Sequence, residues 1–244
     1  MSRILCIGDV HLKPVIFDKA DKVLDSGLAD FAVQMGDMVD DWGEEFSVSL
    51  YERTMMRAIK FHKDHPDTLW VMGNHDYGYH HPNMGVRESG HSKFQEGTMG
   101  TWLREMERKG AKQQIIHMVD GVIFTHAGLT RIWADRRLRK VGYRNDVMPS
   151  RENLIHIVNY SSPEELWHED SPIWVRPQEE PYGMWPAKLQ VVGHTPVESC
   201  VESDGILSID TWSTYSNGAP IGDRSFAIVD TKTGEWEVID AEEL

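Results

Sequence analysis

Five short sets of residues carry side chains that could do chemistry together. They are Asp9-Val10-His11, Asp37-Met38-Val39-Asp40, Asn74-His75-Asp76, His126 and His194, in that order. Their donors are carboxylate oxygens, imidazole nitrogens and one amide oxygen. That mixture suits a borderline divalent ion such as Mn, Fe or Zn better than a thiolate site or an all-oxygen calcium site. Each set alone says little. A lone Gly-Asp is more often a turn, and a lone His126 could be a hydrogen-bonded core histidine. Five sets in order, each after an apolar run, point jointly to a metal centre. Asp9 and His11, two apart on an extended segment, would face the same side, because strand side chains alternate.

The apolar runs are Arg3–Ile7, Phe31–Met35, Thr68–Met72, Val122–Phe124 and Leu189–Val192. Each is too short for a helix and rich in Val, Ile, Leu or Phe, as in a buried strand. Gly8, Gly36, Gly73, Gly128 and Gly193 follow at or near their ends, where the chain can turn sharply. If the strands share a sheet, their carboxyl ends form one rim, the place where open α/β sheets bind ligands. Helical patterns cover Phe17–Ser26, Thr101–Lys109, Arg151–Asn159 and Glu44–His62, the last with Phe46, Leu50, Met55 and Ile59 on or near one face. Ser162-Pro163 starts another. In the tail, Val197–Val201, Ile206–Asp210, Ser225–Asp230 and Glu235–Ile239 read as strands of a second sheet. The pattern predicts one α/β domain over 1–244: a four-layer α-β-β-α sandwich of two mixed sheets flanked by helices. Segment 129–186 is expected to be an irregular, substrate-facing cap within it.

Composition limits the partners. A formal net charge of −14 over 244 residues argues against stable nucleic-acid binding or an anionic membrane surface, since both need basic patches. A small anionic substrate remains compatible if bound cations supply local positive charge. Cys6 and Cys200 cannot build a disulfide framework. No apolar run approaches the length of a membrane span, and Met1-Ser2-Arg3 leads into a strand without a signal-peptide pattern. The expected location is the cytoplasm.

The ordered set resembles the calcineurin-like metallophosphoesterase superfamily over about residues 4–230. The matching motifs are Gly8-Asp9-Val10-His11, Gly36-Asp37-Met38-Val39-Asp40, Gly73-Asn74-His75-Asp76, Thr125-His126-Ala127-Gly128 and Gly193-His194-Thr195-Pro196. The last motif, with Val191-Val192 before it and Ile209-Asp210-Thr211 after it, is similar to the bacterial and phage serine/threonine-phosphatase-like branch. Repair nucleases and many phosphodiesterases have Gly-His-X-His there. The resemblance implies that Asp9 and His11 bind one metal, Asp37 bridges two, and Asn74, His126 and His194 complete the second. His75 would donate a proton to the leaving group, oriented by Asp40. Arg176, with Asn74, is the candidate phosphate-binding residue, because a planar guanidinium can hold two phosphoryl oxygens. Three departures stand out: Asp41-Trp42-Gly43 replaces the branch's Arg-Gly after Asp40, Leu12 replaces a Gly, and Asp76 stands where eukaryotic phosphatases have Glu.

The implied activity is a two-metal phosphatase, with Mn2+ expected and Fe or Zn as substitutes. A metal-bridging hydroxide would attack a phosphomonoester directly, on a phosphoprotein, a small phosphomonoester or a nucleotide. The alternatives are a diadenosine tetraphosphate hydrolase, a phosphodiesterase or nuclease, and an inactive metal-binding scaffold. His80, His81 and His91 read as a solvated or substrate-contacting loop, the acidic tail 240–244 as a solvated end, and Trp42, Trp174 and Trp185 as aromatics near the site.

Overall fold

The computed structural model describes residues 2–85, 88–144, 148–179 and 183–240, so tail residues 241–244 lie outside the described chain. The first half runs β1 (Arg3–Ile7), α1 (Val15–Asp25), β2 (Phe31–Gln34), α2 (Val48–Asp64), β3 (Leu69–Val71), α3 (Asn74–His80), α4 (Glu96–Arg108) and β4 (Gln113–Gln114). Then come β5 (Ile116–Val119), β6 (Val122–Thr125), α5 (Arg131–Lys140), α6 (Arg151–Asn159) and α7 (Pro163–Leu166). The remainder is β7 (Leu189–Pro196), β8 (Val201–Ser203), β9 (Ile206–Asp210), β10 (Phe226–Asp230) and β11 (Trp236–Ile239).

One sheet has the order β11-β10-β1-β2-β3-β4 and the other β5-β6-β7-β9-β8. Both are mixed. In the first, β1 to β4 are parallel and β10 and β11 pair antiparallel. In the second, β6, β7 and β9 are parallel, with β5 and β8 antiparallel at the edges. Alternation along β1 explains the layering. Leu5 and Ile7 face a core shared with Phe17 of α1, Met55 and Phe61 of α2 and Leu103 of α4. Ile4 and Cys6 face the other way, onto Phe124, Val191 and Leu207 of the second sheet. The outer face of that sheet, through Ile116 and Ile123, packs on Trp133, Leu154 and Leu166 of α5, α6 and α7. This is the expected two-sheet sandwich with helices outside. A sheet covered on both faces needs continuous apolar strands, and each fully buried large side chain contributes about 1.5–3 kcal/mol.

Several local expectations change. The tail strands do not form a sheet of their own: β8 and β9 extend the second sheet, while β10 and β11 return to the first. The segment from Val197 turns, with its amide bonded to Asp210 O, before β8 begins. Helix α2 begins at Val48, not Glu44, because Gly43 has a left-handed φ of 76° and Glu44 and Ser47 close a turn. Phe46 is thereby exposed. Among the described residues of segment 129–186, α6 and α7 stand where the sequence placed helices, and α5 is a further one. Helix α5 hides from an apolar-periodicity reading because its buried face, Trp133, Ala134, Arg137 and Leu138, includes an arginine. Arg137 is neutralised there by Glu165 at 2.6 Å. Among the described residues no helix is long and apolar enough to cross a membrane.

His117 on β5 ties the sheets at one edge: its Nε2 donates to Trp70 O at 2.9 Å, and burial pushes its pKa below the ordinary value. Burial lowers His80 in the same way. Below the unfolded value of about 6.5 the unfolded chain binds more protons than the folded one, so stability is full above that pH and is lost as pH falls. The melting temperature of wild type relative to His117→Gln should therefore fall between about pH 7 and 5 in pH-scanned thermal melts. A difference that does not change with pH would count against a buried neutral His117.

Candidate metal centre

The carboxyl ends of β1, β2 and β3 in one sheet meet those of β6, β7 and β9 in the other. Asp9 follows β1, Asp37 follows β2, Asn74 opens α3, His126 directly follows β6, and His194 lies inside β7 where its register shifts. Such a bulge re-aims a side chain. The Asp9-x-His11 segment is not extended, contrary to the alternation argument. His11 and Leu12 have φ of 40° and 57°, so a left-handed turn, rather than strand alternation, brings His11 beside Asp9. Asp37, Asp40 and His194 are left-handed too, at 49°, 65° and 63°. Non-glycine residues hold this region at a cost of about 1–3 kcal/mol each, and they cluster at functional sites. Leu12, standing where the superfamily motif has Gly, occupies the backbone conformation that glycine favours.

Asp37 is the hub. Its Oδ2 lies 3.3 Å from His126 Nε2, 3.8 Å from His11 Nε2 and 3.9 Å from His75 Nε2. Asp9 Oδ2 lies 3.8 Å from His11 Nε2, and both its oxygens accept from the His194 amide at 3.0 and 3.2 Å. Asn74 Oδ1 lies 2.9 Å from His126 Nε2. Two sets of potential ligand atoms fall within 4.8 Å of one another: Asp37 with His126 and His194, and Asp37 with His11 and His75. The six expected ligands are thus gathered on one rim, and His75 joins them.

The donor set fits divalent cations on two counts. First, each imidazole is tied back by one nitrogen. His11 Nδ1 donates to Asp40 O and His126 Nδ1 to Met35 O, both at 2.8 Å, and His194 Nε2 donates to Trp174 O at 3.1 Å. A carbonyl only accepts, so these bonds assign the protons and aim the other nitrogen at the cluster, as at metal sites. Second, His126 Nε2, Asn74 Oδ1 and Asp37 Oδ2 are three electron-rich atoms in mutual contact that need a cation or a proton among them. In the protein alone a proton serves: burial opposes it, but the Asp37 charge raises His126. Asp9 is raised well above the carboxylate range by burial, then by Asp210 and Asp37. His194 is pushed well down by burial, then by His126 and Arg176.

An open cleft of about 460 Å³ faces this cluster, bordered by Trp42, Glu88, Trp174, Arg176 and Tyr215. Arg176 donates to Thr195 Oγ1 at 3.2 Å. Asp41 is not a free acid awaiting solvent or substrate. It pairs with Lys13 at 2.7 Å and accepts from Thr214 at 2.9 Å. His75 Nδ1 lies 3.1 Å from Asp40 Oδ2. His80 ends α3 and its side chain meets Gln113, while His91, expected in a solvated loop, is tucked between Asp40 and Glu96. Sequence reasoning missed Glu88, which borders the cleft, and gave no site role to Asp210, which ends β9 beside Asp9. Asp210 could have been found by its place at another strand end.

The parallel strands of two mixed sheets thus deliver carboxylates and imidazoles to one rim as a candidate divalent-metal site. The family model described as calcineurin-like phosphoesterase matches residues 2–220, and the chain belongs to that family. Among solved structures, a metallophosphoesterase from Sphaerobacter thermophilus is 18% identical, covering 97% of this chain and 86% of its own, with a TM-score of 0.42. A hypothetical protein from Pyrococcus horikoshii is 11% identical, with 98% and 88% coverage and a TM-score of 0.45. A Thermus thermophilus protein is 10% identical, with 98% and 99% coverage and a TM-score of 0.47. No curated protein matches the chain.

Two of the motif glycines leave room for a cluster carboxylate. A Cβ on Gly73 would overlap the Asp37 carboxylate, and one on Gly193 the Asp9 carboxylate. Gly73→Ala and Gly193→Ala should each weaken Mn2+ uptake at least about tenfold in titration calorimetry, since both displace a ligand. Gly97→Ala, where a Cβ meets nothing within 4 Å, should leave it unchanged. Full Mn2+ uptake in both motif variants would refute the ligand assignment.

Proposed function

We propose that the chain is a metallophosphatase of the bacterial and phage serine/threonine-phosphatase-like branch, hydrolysing phosphomonoesters in the cytoplasm with two divalent ions, manganese foremost. The observation that carries this reading is the His75–Asp40 pair at 3.1 Å on the wall of the cleft, beside the ligand cluster. Asp9 and His11 would hold one ion, Asp37 both, and Asn74, His126 and His194 the other. Bound there, the ions supply activation of water and polarisation of a phosphoryl group, and they offset the negative field of an acidic chain.

The chain's own residues do the rest. His75 keeps a proton at Nε2 for the leaving oxygen. Burial alone would favour the neutral ring, but the Asp37 charge and then the Asp40 hydrogen bond raise its pKa to about 9. That value belongs to the chain without ions; with ions on Asp37, the Asp40 carboxylate at Nδ1 is what favours the protonated ring that a general acid requires. Arg176 borders the cleft from the second sheet's side and offers a forked donor to phosphoryl oxygens. Pro196 stands where many diesterases carry a second His, which favours a monoester, and Thr195 before it anchors that arginine. Trp42 and Tyr215, both at least 46% exposed on the cleft, favour a second reading, a dinucleoside polyphosphate whose bases stack on them.

A panel with Mn-loaded protein tests this: a phosphopeptide, a mononucleotide, diadenosine tetraphosphate, an aryl diester and single-stranded DNA. The proposed function expects the phosphopeptide or mononucleotide to be cleaved fastest. Preference for diadenosine tetraphosphate would support the second reading, and preference for the diester or DNA would overturn both. On the preferred monoester class, His75→Asn should keep the metals and lower kcat by about 10²–10⁴ for an alkyl phosphate, with a much smaller loss for nitrophenyl phosphate. Equal losses for the two leaving groups would remove the general-acid role.

A further inference from the structure

The Asp40 carboxylate collects more partners than its pairing with His75 requires. Oδ2 faces His75 Nδ1 at 3.1 Å and lies 3.7 Å from His91 Nδ1. Oδ1 accepts from Tyr51 Oη at 2.8 Å and from Tyr79 Oη at 2.5 Å. The two phenols come from different helices, α2 and α3, and each residue is only 1% exposed. Burial first, and the Asp40 charge second, push both phenols far above their ordinary range, so they remain protonated donors. Tyr79 Oη also accepts from the Ser92 amide at 2.9 Å, which directs its single proton toward Asp40. The His91 ring stacks on Tyr79 with centroids 4.5 Å apart and bonds Glu96 at 3.2 Å, holding the phenol from behind.

A carboxylate bound through one oxygen can rotate about its Cβ–Cγ bond. One whose first oxygen is pinned by two buried hydroxyls from separate helices cannot turn without breaking both bonds. We infer that Tyr51 and Tyr79 are positioning residues for the proton-donor pair. They fix the Asp40 carboxylate plane so that Oδ2 stays on His75 Nδ1 and Nε2 stays turned to the cleft. This inference rests on the proposed role of His75. Neither hydroxyl touches the cleft cluster, so both act through Asp40. If they served the core alone, phenylalanine would do as well, since burying a hydroxyl gains only when it finds a partner.

The test uses Tyr51→Phe, Tyr79→Phe and the double variant in the full chain, which keep both rings in the core. The first readout is the His75 Nδ1–H signal in proton–nitrogen NMR of histidine-labelled protein, as purified and zinc-loaded, assigned by its loss in His75→Gln. Each single variant should speed exchange of that proton with water by about tenfold or more, the worth of one hydrogen bond to a charged group, and the double variant further. The second readout is kcat in Mn-loaded protein. It should fall by about tenfold for an alkyl phosphate and less than about twofold for nitrophenyl phosphate in the double variant, with KM and metal content unchanged. Unchanged His75 proton exchange in the double variant would overturn the inference. So would equal kcat losses on the two substrates. If the double variant does not fold, the single variants decide on the same readouts. A wild type that cleaves no monoester would defeat the functional reading alone, because proton exchange still decides whether the tyrosines hold the pair.

Discussion

Buried negative charge without a fixed cation is the constraint around which this molecule is arranged. Asp9, Asp37, Asp76 and Asp210 are each at most 2% exposed at the meeting of two sheets, and among the described residues no lysine or arginine ion pair reaches them. Removing one carboxylate from water costs several kcal/mol unless partners replace the water. The partners here are backbone amides and imidazoles, with the Gln113 side-chain amide on Asp76 and the Ser213 hydroxyl on Asp210. The His194 amide serves Asp9, the His75 amide serves Asp37, and the Met38 and Gly73 amides serve Asp76. They do not suffice, since burial and then the Asp37 charge still raise Asp76 to about 7. The residual deficit is what divalent cations would fill. The same bonds join the sheets, because Asp9 belongs to the first sheet and His194 to the second.

That arrangement dictates the backbone around it. An amide can point at a carboxylate from the next strand end only if the chain turns immediately after the strand. Asp37 and His194 therefore hold left-handed φ values. The neighbouring motif positions must also lack a side chain where the carboxylates lie, which is why Gly73 and Gly193 sit against Asp37 and Asp9. The strain is local and the cores that oppose it are large. Three apolar layers hold the strands in register on either side, so an unfavourable turn cannot relax without moving a sheet. The glycines and acids of the motifs are two halves of one packing solution.

The same locality decides how much was legible in the sequence. Apolar runs ending in Gly and a polar donor showed the strands, their shared rim and the gathered Asp9, Asp37, Asn74, His126 and His194, because each feature is local to a few residues. Partner choice was not local. Ile206–Asp210 and Ser225–Asp230 carry equally strand-like patterns, yet one extends the second sheet and the other pairs with β1. Nothing in a period of two names the neighbour. Tyr51 and Tyr79 were hidden for a related reason: a buried tyrosine on a helix looks like core until the atom its hydroxyl meets is known. The turn at His11 was hidden because Leu12 occupies a glycine's conformation.

Asp41 shows how the fold absorbs an unfavourable residue and shifts the burden of recognition elsewhere. It occupies the place where the related phosphatase motif has an arginine, and an acid there would repel a phosphate. Lys13 and Thr214 claim both its oxygens instead, and the Trp42 amide shares one of them. The acid thus becomes a brace between the loop after β2 and the loop after β9, neutral in sum with its lysine. On the proposed reading, the protein's own positive charge for an anion, beside that of the ions, comes from the opposite wall, where Arg176 is held by Thr195, the residue after a cluster histidine. On the same reading, phosphate recognition has moved from the first sheet's loop to the second sheet's side. The vacated loop is left to present Trp42 at the mouth of the cleft, where it can select the group that carries the phosphate.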